Sequence, residues 1–120
     1  MRPSTVPLGN AGEAAVADEL VRQGYTLLAR GYRFRRLGEI DLVAAKDGAV
    51  CFIEVKARSS DRFGSPADAV TPSKERRIRQ VASCFLQERH LEGVEVRLLL
   101  AAVKIESSGS ISCIEIVPFA

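Results

Sequence analysis

The chain has 120 residues, 47% of them apolar and 27% charged, with a formal net charge of +2. This suits one globular domain with a modest core, expected over 1–120 with its core at about 9–117, and it argues against a second domain. The longest apolar run, Leu98 to Val103, falls far short of the ~20 residues of a membrane span, and MRPSTVPLGN has no apolar signal segment, so a cytoplasmic chain with no membrane partner is expected.

The small net charge conceals an uneven distribution. Twelve basic and seven acidic residues lie between Arg30 and Arg79, a balance of +5, and everything outside that window sums to −3. A cationic middle of this kind suits a polyanionic partner. Cys51, Cys84 and Cys113 are widely spaced, show no CxxC or Cys/His cluster, and are expected to be core thiols. The single histidine, His90, falls near the expected end of a helix and is expected to have a surface or capping role.

Helical periodicity begins after Asn10. Val16, Ala17, Leu20 and Val21 form a stripe, Asn10 and Glu13 have capping-box spacing, and Gly24 supplies a stop, giving a helix over 11–23. Residues 25–36 alternate partially and end in a basic cluster, which suits an irregular edge strand. GEIDLVAA and AVCFIEVKA are β-rich runs separated by Lys46, Asp47 and Gly48, and Asp-Gly is a strong tight-hairpin signal. Residues 58–70 are turn-rich and are expected to form a loop. Thr71 and Pro72 open a second helix carrying Ile78, Val81, Ala82, Phe85 and Leu86, which runs to about His90, with Gly93 beyond it. VEVRLLLAAVKI suits a buried strand and ISCIEIVPF an edge strand. The predicted fold class is α/β, with a mixed central sheet and the element order α-β-β-β-α-β-β.

With Asp47 and Gly48 as the two loop residues, hairpin register sets Ala44 against Cys51, Leu42 against Ile53, Asp41 against Glu54 and Glu39 against Lys56. Alternation then puts Glu39, Asp41, Glu54, Lys56 and Arg58 on one face, and Ile40, Leu42, Ile53 and Val55 on the other. Like charges directly opposed are destabilising. A divalent cation between Asp41 and Glu54 turns that repulsion into coordination, and Mg²⁺ in particular takes one or two carboxylates and keeps waters for a phosphate. Lys56 would stand beside the ion. Glu13 lies on the apolar stripe of the first helix, where it is either the capping-box acid or a third carboxylate directed at the sheet. The plain alternative for the hairpin is a solvated face of alternating charges with Glu39 and Lys56 as a cross-strand pair.

The spacing of Asp41 from Glu54-Val55-Lys56 resembles the catalytic pattern of the PD-(D/E)xK nuclease superfamily. The wider set, GE at 12–13, GEID at 38–41, FIEVKAR at 52–58, FGSPADAV at 63–70 and Lys74, is similar to the YraN-like family of small bacterial proteins. These are predicted endonucleases that resemble archaeal Holliday-junction resolvases. The resemblance covers roughly residues 9–103 and departs from the pattern at Ile40 (nominally proline), Ala57 (often threonine) and Leu99 (expected aspartate). It implies a restriction-endonuclease-like fold in which Asp41, Glu54 and Glu13 hold Mg²⁺, or Mn²⁺ in its place, and Lys56 orients or activates water.

The expected function is therefore a metal-dependent nuclease, an endonuclease on DNA with branched DNA as a candidate substrate, for which a symmetric homodimer would suit two-strand cutting. Arg33, Arg35, Arg36, Arg58, Arg62, Lys74 and Arg77 are candidate phosphate contacts. Arg76 and Arg79 fall off the helical apolar stripe and suit a solvated face. Tyr32, Phe34 and Phe63 suit either base stacking or the core. Two other classes compete: a non-catalytic nucleic-acid-binding or assembly module that keeps the nuclease fold, and a carboxylate site for a small phosphorylated molecule.

Overall fold

The computed structural model describes residues 8–58 and 70–118. They form α1 (Leu8–Arg22), β1 (Thr26–Phe34), β2 (Gly38–Lys46), β3 (Ala49–Arg58), α2 (Pro72–Glu88), β4 (Glu95–Ile105) and β5 (Ile111–Pro118). This is the element order expected from the sequence. The five strands form one sheet in the order β1-β2-β3-β4-β5, with β3 and β4 parallel and every other pair antiparallel. Such a mixed sheet with two helices is compatible with a restriction-endonuclease-like fold.

The helices cover opposite faces, because each lays an apolar stripe on the sheet. Val16, Ala17 and Leu20 of α1 pack on Leu42, Ala44, Cys51, Ile53, Ala101 and Val103. Ile78, Val81, Ala82 and Phe85 of α2 pack on Ile40, Val43, Val50, Phe52 and Leu98. Phe85 is the hub of the second layer, meeting both Tyr32 and Phe52 edge to face. β4 shows the buried run expected of a central strand, whereas β5 is half-exposed along its length.

Local signals account for most boundaries. Asp47 and Gly48 both have positive φ, as a two-residue primed hairpin turn requires. Thr71 caps α2 by accepting the Lys74 N–H at 3.1 Å, with Pro72 at the first helical position. α2 ends at Glu88, two residues before the expected stop, and His90 is exposed in the turn beyond it. The start of α1 corrects the sequence reading: the helix already includes Leu8, so Asn10 is a helical residue and no N-cap. The cysteines also differ from expectation, since Cys51 is buried, Cys84 half-buried and Cys113 exposed on the edge strand β5.

The strict alternation expected along β2 fails at one place. Leu42 faces α1 while Ile40 faces α2, although two residues apart should share a face. The partner strand turns over with it: Arg30, opposite Leu42, reaches Glu13 of α1, and Tyr32, opposite Ile40, rests on Phe85 of α2. Gly31, with φ of +63°, supplies the backbone freedom on β1 for this reversal. Asp41 occupies the matching point on β2.

Candidate metal centre and its basic surroundings

The hairpin register is as expected from Lys46↔Ala49 to Leu42↔Ile53, and there the ladder ends. Asp41 and Glu54 do not form the next rung. Instead Asp41 Oδ2 accepts the backbone N–H of Val55 at 2.8 Å. The strand reversal at Asp41 brings its carboxylate to the β3 backbone, and the strands part around it.

Asp41 is half-buried, and its carboxyl lies within hydrogen-bonding reach of Glu54. Burial pushes its pKa up to about 7, and the charges of Glu54 and Glu13 push the same way against the Val55 hydrogen bond. Two acids held together at such a point favour either a shared proton or a cation.

Three further elements converge on this end of the sheet. β3 and β4 run parallel, so Glu54 and Lys56 sit toward their carboxyl ends, beside Leu100 and Ala102. α1 crosses there, with Gly12 close enough to Val55, Ala57 and Val103 that an added Cβ would lie 3.8–3.9 Å from their side chains. Its neighbour Glu13 is thereby brought close to Asp41, with a side chain only 18% exposed. The Glu13 carboxylate stands 3.8 Å from Arg30, a contact that favours the sheet-directed role over the capping box. α2 begins at the same end, and its Lys74 Nζ lies 2.7 Å from Glu54 Oε2.

Lys56 is exposed and makes no ion pair among the described residues. The expected pairing of Glu39 with Lys56 is not formed, because Glu39 sits across β1 from Arg33, with 3.9 Å between the charged groups. A cavity of about 270 Å³ opens beside the site, lined by Glu39, Glu54, Lys74 and Arg77 among others.

The other basic candidates separate into groups. Arg33, near the end of β1, and Arg35 and Arg36, in the β1–β2 turn, are exposed on the site's end of the sheet, and Arg35 also stacks over Phe34 at 5.1 Å. Arg58 is half-buried at the end of β3. Arg62, Phe63 and the expected 58–70 loop, apart from its ends, lie outside the described residues. Arg76 and Arg79 are exposed, and Arg79 pairs with Glu75 one turn away, as on a solvated helix face. Tyr32 is partly buried against the α2-side core: its ring packs on Phe85 and its hydroxyl donates to Glu88, with its pKa raised to about 12 chiefly by burial. Leu99, where the resemblance leads one to expect an aspartate, is buried in the α1-side core.

The donor set suits a hard divalent cation of the Mg²⁺ type, which takes one or two carboxylates and completes its shell with water. Asp41 and Glu54 would supply them. Among the described residues no three acids converge into a closed cage, and Glu13 stands as a nearby third charge engaged by Arg30. No helix among the described residues is long and apolar enough to cross a membrane.

What sequence reasoning missed is the pairing of Lys74 with Glu54. Lys74 has the sequence signature of a phosphate contact, and nothing in the order of residues indicates that α2 starts against the end of β3.

A family model described as uncharacterised protein family UPF0102 matches residues 12–106. A UPF0102 protein of Symbiobacterium thermophilum is 41% identical over 106 residues, covering 88% of this chain and 89% of its own. A counterpart in Moorella thermoacetica is 40% identical over 109 residues, with coverage of 91% and 90%. One from Mycolicibacterium vanbaalenii is 43% identical over 102 residues, covering 85% and 84%.

Proposed function

The chain belongs to the uncharacterised protein family UPF0102, and we propose that it is a metal-dependent nuclease that hydrolyses phosphodiester bonds in DNA. The family description names no activity, so one observation carries the reading: Asp41 and Glu54 meet where β2 and β3 part, with the Lys56 ammonium, unpaired among the described residues, two places after Glu54 on β3. Two carboxylates held this close at a half-buried point are costly to keep charged without a cation, and a lysine beside them supplies positive charge where a phosphodiester gains negative charge during hydrolysis.

In this reading Asp41 and Glu54 hold Mg²⁺ or Mn²⁺, and Glu13 adds negative charge behind Asp41. When bound, the ion would supply Lewis-acid charge at the phosphate and a more acidic water. Lys56 orients that water or offsets the charge developing on phosphate oxygens. Arg33, Arg35, Arg36 and Arg77 grip neighbouring phosphates, positioning the duplex without reading its sequence. Branched DNA is the substrate to try first, and cutting both strands of a four-way junction would call for a homodimer.

A second reading has its own support. Lys74 already neutralises Glu54, and Arg30 stands by Glu13, so the acids have counter-charges without a metal. That arrangement suits a binding or assembly module that keeps the fold.

The deciding experiment is a cleavage panel of linear, single-stranded, flapped and four-way DNA with Mg²⁺ or Mn²⁺, with Asp41→Asn as the control. Metal-dependent cleavage lost in the variant supports the nuclease. DNA binding with no cleavage in any combination of metal and substrate supports the module.

A further inference from the structure

We propose that Lys74 is a displaceable internal cation: it occupies Glu54 in the metal-free protein and, when a divalent ion takes that carboxylate, swings into the adjoining cavity to hold a substrate phosphate with Arg77. This rests on the metal-site reading above and assigns one lysine a role within it.

Three observations carry the inference. The first is the contact itself. Lys74 Nζ lies 2.7 Å from Glu54 Oε2, with the two side chains 31% and 17% exposed. That oxygen belongs to a carboxylate a metal would need, and an ammonium and a divalent ion repel each other at one carboxylate oxygen, so they compete for it.

The second is that Lys74 has somewhere to go. The residue lines the cavity of about 270 Å³ as well as touching Glu54. Its backbone is anchored, because its N–H is taken by the Thr71 cap. Rotation about its own side-chain bonds is therefore enough to carry the ammonium from Glu54 into the cavity, and lysine, a compact charge on a flexible stem, is suited to such a move.

The third is the waiting partner. Arg77 stands one helical turn along α2, lines the same cavity and makes no ion pair among the described residues. Its stem lies across Gly38, where an added Cβ would come within 3.0 Å of Arg77 Cδ. Among the described residues the one other acid lining the cavity, Glu39, faces Arg33 at 3.9 Å. With Glu54 committed to a metal, Lys74 and Arg77 would make a two-cation pocket, the chemistry that binds a phosphate. Metal binding would then prepare the phosphate subsite.

The test is calorimetric titration of the full chain with Mn²⁺ alone, comparing the native protein with Lys74→Met and Lys74→Gln, both compatible with a helix. Asp41→Asn serves as the blank. Removing the competing ammonium is expected to tighten Mn²⁺ binding about two- to five-fold, the size of a partly exposed ion pair. In parallel, affinity for a short DNA duplex is measured with and without Ca²⁺, and the metal-induced gain is expected to be several-fold smaller in both variants. Native-like or weaker Mn²⁺ affinity in the variants overturns the exchange and leaves the metal site standing. Tighter Mn²⁺ binding with an unchanged DNA gain overturns the phosphate role. Failure of every form to bind Mn²⁺ overturns the exchange together with the metal site beneath it.

Discussion

Asp41 Oδ2 accepts the Val55 N–H at 2.8 Å, just past the last β2–β3 rung at Leu42↔Ile53. A carboxylate thus takes the hydrogen bond that a carbonyl would otherwise receive, and the strands separate just enough to leave Asp41 and Glu54 side by side. Asp41→Asn keeps an acceptor for Val55 and is expected to fold normally but lose metal binding. Asp41→Ala orphans that N–H and is expected to cost about 1–3 kcal/mol in addition. Urea denaturation beside metal titration checks both, and equal stability of the two variants would count against the structural role of this hydrogen bond.

The raised pKa of Asp41 predicts how the metal-free protein responds to pH. Its folded-state pKa of about 7 lies above the ordinary 3.8, so between these values the folded state binds more protons than the unfolded one. The associated stability is complete below about pH 4 and is lost as pH rises through 7. The contribution is isolated by comparison with Asp41→Asn: the native chain should lose melting temperature relative to the variant between pH 5 and 8, and Mg²⁺ should restore it. Parallel pH profiles for the two proteins would refute this.

Lys56 is exposed and unpaired among the described residues, so its substitution is expected to change stability by only about 0.5 kcal/mol or less. Lys56→Met should leave Mg²⁺ affinity intact and lower the cleavage rate about 10²–10³-fold, as loss of one group that stabilises developing charge typically does. Single-turnover cleavage with saturating metal measures it. A rate within twofold of native would remove Lys56 from the mechanism.

Gly38 has φ of +151° and lies beneath the Arg77 stem, so a methyl group there is both strained and too close. Gly38→Ala is expected to destabilise the fold by about 1–3 kcal/mol and, by displacing Arg77, to weaken DNA binding to the extent expected of Arg77→Ala. Denaturation curves and fluorescence anisotropy test the two halves separately.

Arg35 and Arg36 project from the β1–β2 turn at the site's end of the sheet. If they contact phosphates, each Arg→Ala change should reduce the slope of log affinity against log salt by about one, with little effect on sequence preference. An unchanged slope in the double variant would move the DNA path away from this turn.

Features that depend on neighbours in the chain were legible from residue order. Asp47-Gly48 makes the hairpin because both positions accept positive φ, Thr71-Pro72 starts α2 because one caps and the other pre-sets the first turn, and the two-residue turn carries the register as far as Leu42↔Ile53. From these the sequence by itself determined the order of elements, and it brought Asp41 and Glu54 to the same end of one hairpin.

Tertiary structure decided the rest, because those contacts join residues whose separation in the chain says nothing of their distance in space. The reversal at Gly31 and Asp41 needs one apolar layer on each face, supplied by α1 and α2, and it moves Ile40 away from Leu42. Glu13 meets Arg30, and Lys74 meets Glu54, only because each helix begins at the end of the sheet where β2 and β3 part. Asp41 and Glu54, which the hairpin register sets opposite each other, are therefore not a ladder rung but a gap in one, closed by the Val55 N–H and balanced by a lysine from the second helix.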